Sequence, residues 1–291
     1  MKYIDTIKLP SQTEINDYMA TRNLSAYPWT IFFNNQFEWL LCDDITILYG
    51  NNGSGKSTLL NLIAQKIGAS QETILFKDIF YDDYKNDIYP FDDFVNSITI
   101  KNSYDDLGEE MKLPTIKKLI TSDEIFKSIN RRNENNRKAL EDISHNDKRK
   151  SEMFNGYSID SYNALVERFT KKRFDQIHTL KKEQMRSNGE SALMFFSKIF
   201  ESGGIYLLDE PENCLSSIFQ LELINLIQDS AKYFDCQFII CTHSPLILGI
   251  NGAKVYNMDL VPVKPQNWYE LENVRIYYEF FRLHKNDFEK Q

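Results

Sequence analysis

Continuous apolar strands alternating with helices, a glycine loop between one such strand and a helix, and another apolar strand closed by two carboxylates make this an α/β chain with a largely parallel core sheet. The strands Ile45–Tyr49, Ile205–Leu208 and Gln237–Cys241 are apolar at most positions, a pattern required when helices cover both faces of a sheet. With 291 residues, the chain suits one domain carrying an insertion, because single cores stop growing near ~250 to 300 residues.

Taken in order, Tyr27-Pro-Trp-Thr-Ile-Phe-Phe33 and Phe37-Glu-Trp-Leu-Leu41 read as N-terminal antiparallel strands joined by the Asn34-Asn35-Gln36 turn. Ile45–Tyr49 is a third strand, running into Gly50 and then a helix from Thr58 to Lys66 with apolar positions at 59, 60, 62 and 63. Residues 78–110, rich in Asp with scattered aromatics, show no clean period and read as loop with short strands. Thr121-Ser-Asp-Glu124 has capping-box spacing and opens a helix carrying Ile125, Phe126 and Ile129. A second helix carries Tyr162, Leu165, Val166, Phe169, Phe174, Ile177 and Leu180. The remaining elements are a helix through Ala192–Phe200, the strand Ile205–Leu208, a helix from Ile218 to Ala231 and the strand Gln237–Cys241. Glu270 to Phe288 reads as a closing helix that packs on the body or on a dimer partner.

A hydrophobic share of 42 % and a charged share of 26 % are those of a soluble packed protein. The first residues lack an apolar targeting core, and no apolar run approaches the ~18 residues of a membrane span, so a cytoplasmic protein without a membrane part is expected. Cys42, Cys214, Cys236 and Cys241 show no metal-type pairing and are expected to be reduced, buried and inert. The net charge of -8 argues against a surface that grips nucleic acid throughout. Residues 125–186, however, hold 15 Lys and Arg against 9 Asp and Glu, a local +6 within an otherwise acidic chain. They read as an inserted basic helical lobe within one domain spanning residues 1–291.

Gly50-Asn-Asn-Gly-Ser-Gly-Lys-Ser57 has the G-x-x-x-x-G-K-[ST] pattern of a phosphate loop, placed after a strand and before a helix. A simple glycine turn has the same local shape, but the full pattern arises by chance in roughly one chain in a hundred of this length. Backbone NH groups of the loop and of the helix N-terminus, from Asn51, Asn52, Gly53, Ser54 and Gly55 to Thr58, would face the phosphates. Lys56 would reach the β- and γ-phosphates, and the Ser57 hydroxyl would ligate Mg2+. At the end of the strand Ile205–Leu208, Asp209 is suited to hold Mg2+ through its water shell, leaving Glu210 to polarise an attacking water. Cys241-Thr-His243-Ser follows another apolar strand, so His243 also reaches a carboxyl end of the sheet, placed to sense a γ-phosphate.

The loop at 50–57, Arg186-Ser-Asn-Gly-Glu190 before a helix, Leu208-Asp-Glu-Pro-Glu212, Asn213-Cys-Leu-Ser216 and Thr242-His243-Ser244 occur in an order that resembles the ABC ATPases. The likeness is nearest to their SMC and double-strand-break-repair branch and its compact bacterial AAA-labelled relatives. Matching segments cover roughly residues 27–65 and 186–258. The resemblance implies a P-loop ABC ATPase head that binds ATP and Mg2+ and hydrolyses ATP in a head-to-tail homodimer. Ser187, Gly189 and Glu190 would belong to the signature that completes the other subunit's ATP site.

This chain departs from the family pattern in three places. Arg186-Ser-Asn-Gly-Glu190 stands for Leu-Ser-Gly-Gly-Gln, with Asn188 able to take left-handed geometry. Ser216 replaces the aspartate of the loop between sites. No glutamine occupies the usual Q-loop context, for which Ser122-Asp123-Glu124 is the replacement region. Slow or partner-dependent turnover is the expectation.

Three functions share this reading: an ATP-driven clamp or switch on nucleic acid or a partner protein, a transporter energy module, and an ATP sensor controlling a separately encoded nuclease or toxin. The basic lobe serves either as a solvated protein-docking surface or as a contact for nucleic-acid phosphates. Tyr27, Trp29 and Phe37 are candidates either for the core or for stacking on adenine.

Overall fold

The computed structural model describes residues 2–22, 27–33, 35–71, 90–132, 134–135, 137–138 and 188–289. Strands β3 (Ile45–Tyr49), β5 (Ile116–Thr121), β6 (Gly204–Asp209), β7 (Gln237–Cys241), β8 (Lys254–Asn257) and β9 (Lys264–Pro265) form a six-stranded sheet. Their order is β5-β6-β7-β3-β8-β9, and every neighbouring pair is parallel except β8 with β9. A separate antiparallel sheet has the order β2-β1-β4, from β1 (Ile4–Lys8), β2 (Trp39–Leu41) and β4 (Thr99–Asn102).

Alternate residues of the central strands serve two cores, as a pleated strand buried on both faces requires. Leu48, Ile205, Leu207 and Ile239 join one cluster with α3 (Lys56–Ile67), α4 (Pro90–Ser97) and the small sheet. Ile47, Tyr206, Leu208, Phe238 and Ile240 join the other with α5 (122–132), α6 (Asn188–Ile199) and α7 (Ser217–Tyr233). Sandwiched in this way, the strands must be apolar at successive positions. The same arrangement buries all four cysteines as free thiols, and burial raises Cys42 to about 12.

The helix α3 starts at Gly55 and stops at Gly68, both left-handed, and the Gly68 NH donates to Ala64 O and Gln65 O. At the start of α5 the expected capping box forms: Thr121 NH donates to Glu124 Oε2 at 3.2 Å, and Glu124 NH to Thr121 Oγ1 at 3.4 Å.

The segment read as a strand at 27–33 is instead the short helix α2 (Trp29–Phe32). A helical turn places Trp29 and Phe32 together against Phe94 of α4, with ring centroids 4.8 and 5.2 Å away, and Trp29 Nε1 donates to Pro90 O. A strand would send residues three apart to opposite faces. β2 pairs with β1, which pairs with β4 on its other side, rather than with residues 27–33. Trp29 and Phe37 are buried in the core, Phe37 against Tyr256 of β8, and Tyr27 packs on the same core and donates to Thr58 Oγ1 of α3. Within 78–110 the described part contains α4 and β4, where no helix was expected. The helix read over 162–180 and the lobe beyond residue 138 lie outside the described residues.

Gln237 and Tyr256 both tie the two sheets together: the Tyr256 hydroxyl of β8 accepts from Leu41 NH of β2 at 3.0 Å and donates to Leu41 O at 3.2 Å. Gln237, fully buried at the start of β7, accepts from Tyr3 NH and Ile4 NH at 3.0 and 2.9 Å. Its Nε2 donates to Ile4 O and Asp43 O. Replacing Gln237 with Leu removes the acceptor of the Tyr3 and Ile4 NH groups, each costing ~1 to 3 kcal/mol. We expect Gln237→Leu to lose about 3 kcal/mol or more of unfolding free energy in urea titrations. A loss below about 1 kcal/mol would show that the junction is held by other contacts.

Candidate active site

Parallel register brings the ends of four strands to one edge. Leu48 pairs with Cys241, Asp209 with Cys241 and Thr121 with Asp209, so the loops after β3, β5, β6 and β7 leave the sheet side by side. This is where open α/β sheets bind ligands.

After β3, the loop 50–55 turns back on itself, with Ser54 NH donating to Asn51 O. Gly53 and Gly55 have φ of 85° and 91°. A Cβ on Gly55 would lie 2.6 Å from Ile31 Cγ2, so α2 packs directly behind the loop and only glycine fits. Lys56, 5 % exposed, donates from Nζ to Gly50 O at 2.6 Å and Asn51 O at 3.1 Å. Ser54 Oγ is buried without a protein partner.

Asp209 Oδ1 accepts from Ser57 Oγ at 2.9 Å, joining the head of α3 to the end of β6. Burial pushes the Asp209 carboxyl up to about 6, opposed by the Ser57 hydrogen bond and reinforced by the charge of Glu210. Glu210 is left-handed (φ 48°, ψ 54°), a conformation that costs roughly 1 kcal/mol or more in a residue with a Cβ. Its NH donates to Cys241 O, and Asn213 Nδ2 donates to its Oε2 at 2.9 Å. The other oxygen, Oε1, lies 3.6 Å from His243 Nε2. Burial, then the charge of Lys56, lowers the His243 pKa, so the imidazole is neutral near pH 7.

Three residues that the sequence reading left without a role organise this edge. Glu212 Oε1 accepts from Thr242 Oγ1 at 2.6 Å, His243 NH at 2.8 Å and Ser244 NH at 3.1 Å, fixing the backbone that carries the imidazole. Asp259, past the end of β8, accepts the Asn51 NH with both oxygens at 2.9 Å. Asn273, in α9 (Glu272–Leu283), donates from Nδ2 to His243 O at 3.1 Å. The second acid of Asp209-Glu-Pro-Glu212 was the one visible sign of the first; the other two contacts span 208 and 30 residues.

Beside these groups opens a cleft of about 810 Å³, lined by Tyr49, Asn51 and Asn52, by Glu210 and His243, and by Glu272, Asn273 and Ile276 of α9. The expected signature stands elsewhere. Ser187 lies outside the described residues, and α6 begins at Asn188. Gly189 is buried where an added Cβ would overlap the Phe219 ring, Glu190 is exposed, and neither lines the cleft. Ser216 occupies the N-cap position of α7 without a side-chain cap. Ser122-Asp123-Glu124 follows β5 at the same sheet edge as Asp209, and Glu124 is engaged in the capping box.

The Ser57 hydroxyl and one Asp209 carboxylate are hard oxygen donors already in contact. Mg2+ prefers such a pair, completed by water and phosphate, and no cluster of three or more acidic, His or Cys ligands occurs among the described residues.

The family model described as ABC transporter matches residues 40–213, more than half of the chain and the stretch running from β2 through the phosphate loop to Asn213. The chain belongs to the ABC transporter family. No curated protein matches it. Among solved structures, this ABC-family chain is similar to the SMC head domain of Pyrococcus furiosus bound to the C-terminal domain of ScpA. That likeness has 13 % identity, 96 % of this chain and 100 % of the other covered, and a TM-score of 0.42. It is also similar to the SMC head domain from Thermotoga maritima (13 % identity, 91 % and 99 % covered, TM-score 0.43). A third likeness is to a putative metal-chelate type ABC transporter in an inward-facing conformation (17 % identity, 82 % and 79 % covered, TM-score 0.38). Among the described residues of this ABC-family chain, no helix is long and apolar enough to cross a membrane.

Because Glu212 holds three donors of the His243 loop, Glu212→Ala frees the loop and strands buried NH groups. We expect amide exchange at 243–244 to speed up about 10- to 100-fold, measured by hydrogen–deuterium exchange. Unaltered exchange would mean that Ser244 and Asn273 suffice to place His243.

Proposed function

We propose that this chain binds ATP with Mg2+ and hydrolyses it to ADP and phosphate across a head-to-tail dimer, using the cycle as a clamp or switch on nucleic acid or a partner protein. One observation supports this reading above the others: Lys56, Ser57, Asp209, Glu210 and His243 converge on one sheet edge although the sequence spreads them over 188 positions.

In this reading the backbone NH groups from Asn52 to Thr58 receive the phosphate oxygens, aided by the positive end of α3. Lys56 leaves the Gly50 and Asn51 carbonyls for the β- and γ-phosphates. Ser57 and Asp209 hold Mg2+, which when bound neutralises the charge shared by those phosphates. Glu210 orients the attacking water and takes its proton, and neutral His243 contacts the γ-phosphate. Glu212 and Asn273 keep His243 in place from behind.

Among the described residues, Gly189 and Glu190 of the same chain do not line the cleft. A second copy, arranged head to tail, would bring Ser187, Gly189 and Glu190 to the open side and exclude water there. Ser216, standing where the family has an aspartate between the sites, favours slow firing. It also favours the second reading, an ATP-sensing subunit that controls a separately encoded effector, which a stoichiometric copurifying protein would support.

Glu210→Gln should retain ATP, lower kcat by about 1,000-fold and double the molar mass seen by light scattering when ATP and Mg2+ are present. A monomer that binds ATP and never doubles would exclude the dimer. Lys56→Ala should weaken ATP binding about 100-fold, as two charge-assisted contacts to phosphate are lost, measured by calorimetric titration. Equal affinity would place the nucleotide elsewhere.

A further inference from the structure

The helix α9 is apolar over most of its circumference, yet only Val274 is buried along it, with Leu271 just before it. Its charges occupy one narrow side, where Glu279 pairs with Arg275 at 3.5 Å and Arg282 at 2.6 Å. The expected packing of this segment on the body is thus confined to its first turn. Ile276, Phe280 and Leu283, spaced i, i+4, i+7, form a stripe with 61, 53 and 76 % of their surfaces exposed. Such a stripe marks a contact surface, and a 12-residue helix gains little stability in water without one.

The position of the stripe indicates what covers it. Asn273 and Ile276 line the cleft that also holds Asn51, Glu210 and His243, so the stripe runs outward from the catalytic groups along α9. Any body that closes this cleft against the γ-phosphate meets Ile276 first and then Phe280 and Leu283. A copy arranged head to tail brings Gly189 to the cleft together with Phe219, which packs on Gly189. With them come Ile218 and Leu221 of α7, apolar side chains 69 and 50 % exposed. We propose that the Ile276–Phe280–Leu283 stripe is an ATP-dependent contact surface for a second copy of this chain, sealing the outer rim of the nucleotide cleft. This inference rests on the dimer reading above.

The test compares Glu210→Gln alone with Glu210→Gln carrying Phe280→Lys and Leu283→Lys, two exposed positions outside the cleft lining. With ATP and Mg2+, the added substitutions should raise the dimer dissociation constant about 100-fold by light scattering, while a fluorescent ATP analogue still binds the monomer. In the parent, amide exchange across 276–283 should slow on dimerisation. An equally tight dimer from the triple variant, or unchanged exchange across 276–283 in the parent dimer, overturns this surface and leaves the dimer reading standing. If the parent binds ATP yet remains at monomer mass, the dimer reading fails and this surface with it. Protection of 276–283 by a copurifying protein without ATP also overturns it.

Discussion

The architecture depends on the register of four parallel strands. Asp209 and Leu48 both pair with Cys241, so the glycine loop after β3, the two acids and the histidine leave adjacent strands at equal height. A one-residue slip between β6 and β7 would turn Asp209 and the apolar residues behind it to the wrong face of the sheet. The register resists such a slip because both faces are packed: Ile205 and Leu207 serve one core, Tyr206 and Leu208 the other. Chemistry at the edge is therefore positioned by apolar packing well inside the sheet.

On that scaffold, charge is set by burial and by neighbours. Asp209 has its pKa raised to about 6 by desolvation, and its Ser57 hydrogen bond opposes the rise. Glu210 sits in a left-handed backbone, held by Cys241 O and Asn213, which aims its carboxylate at His243. Strain of this kind persists only where the surroundings over-determine it. Here they comprise one strand end, one following turn and the Glu212 carboxylate that anchors the neighbouring loop.

The fully covered strands β3, β6 and β7 could be read directly from the sequence because burial on both faces leaves an uninterrupted apolar signature. The loop 50–55 between β3 and α3 could be read because a turn of this kind needs glycine at positive φ, as at Gly53 and Gly55. By contrast β1, Ile4-Asp-Thr-Ile-Lys8, alternates too briefly to stand out, and its pairing partners lie 31 or more residues away. Trp29 to Phe32 carried the composition of a strand, and its helical form is decided by Phe94 of a distant helix. Glu212, Asp259 and Asn273 escaped notice because a positioning role exists only in three dimensions. Their neighbours in sequence say nothing of the amides and carbonyls they meet.

Gln237 carries a consequence for the birth of the chain. The NH groups of Tyr3 and Ile4 find their acceptor 234 and 233 residues later. During synthesis the first strand leaves the ribosome long before the side chain that anchors it to the main sheet exists. Closure of so long a loop is slow relative to local helix formation. A strand made well before its anchor is therefore among the last to be secured, and the two sheets mature together.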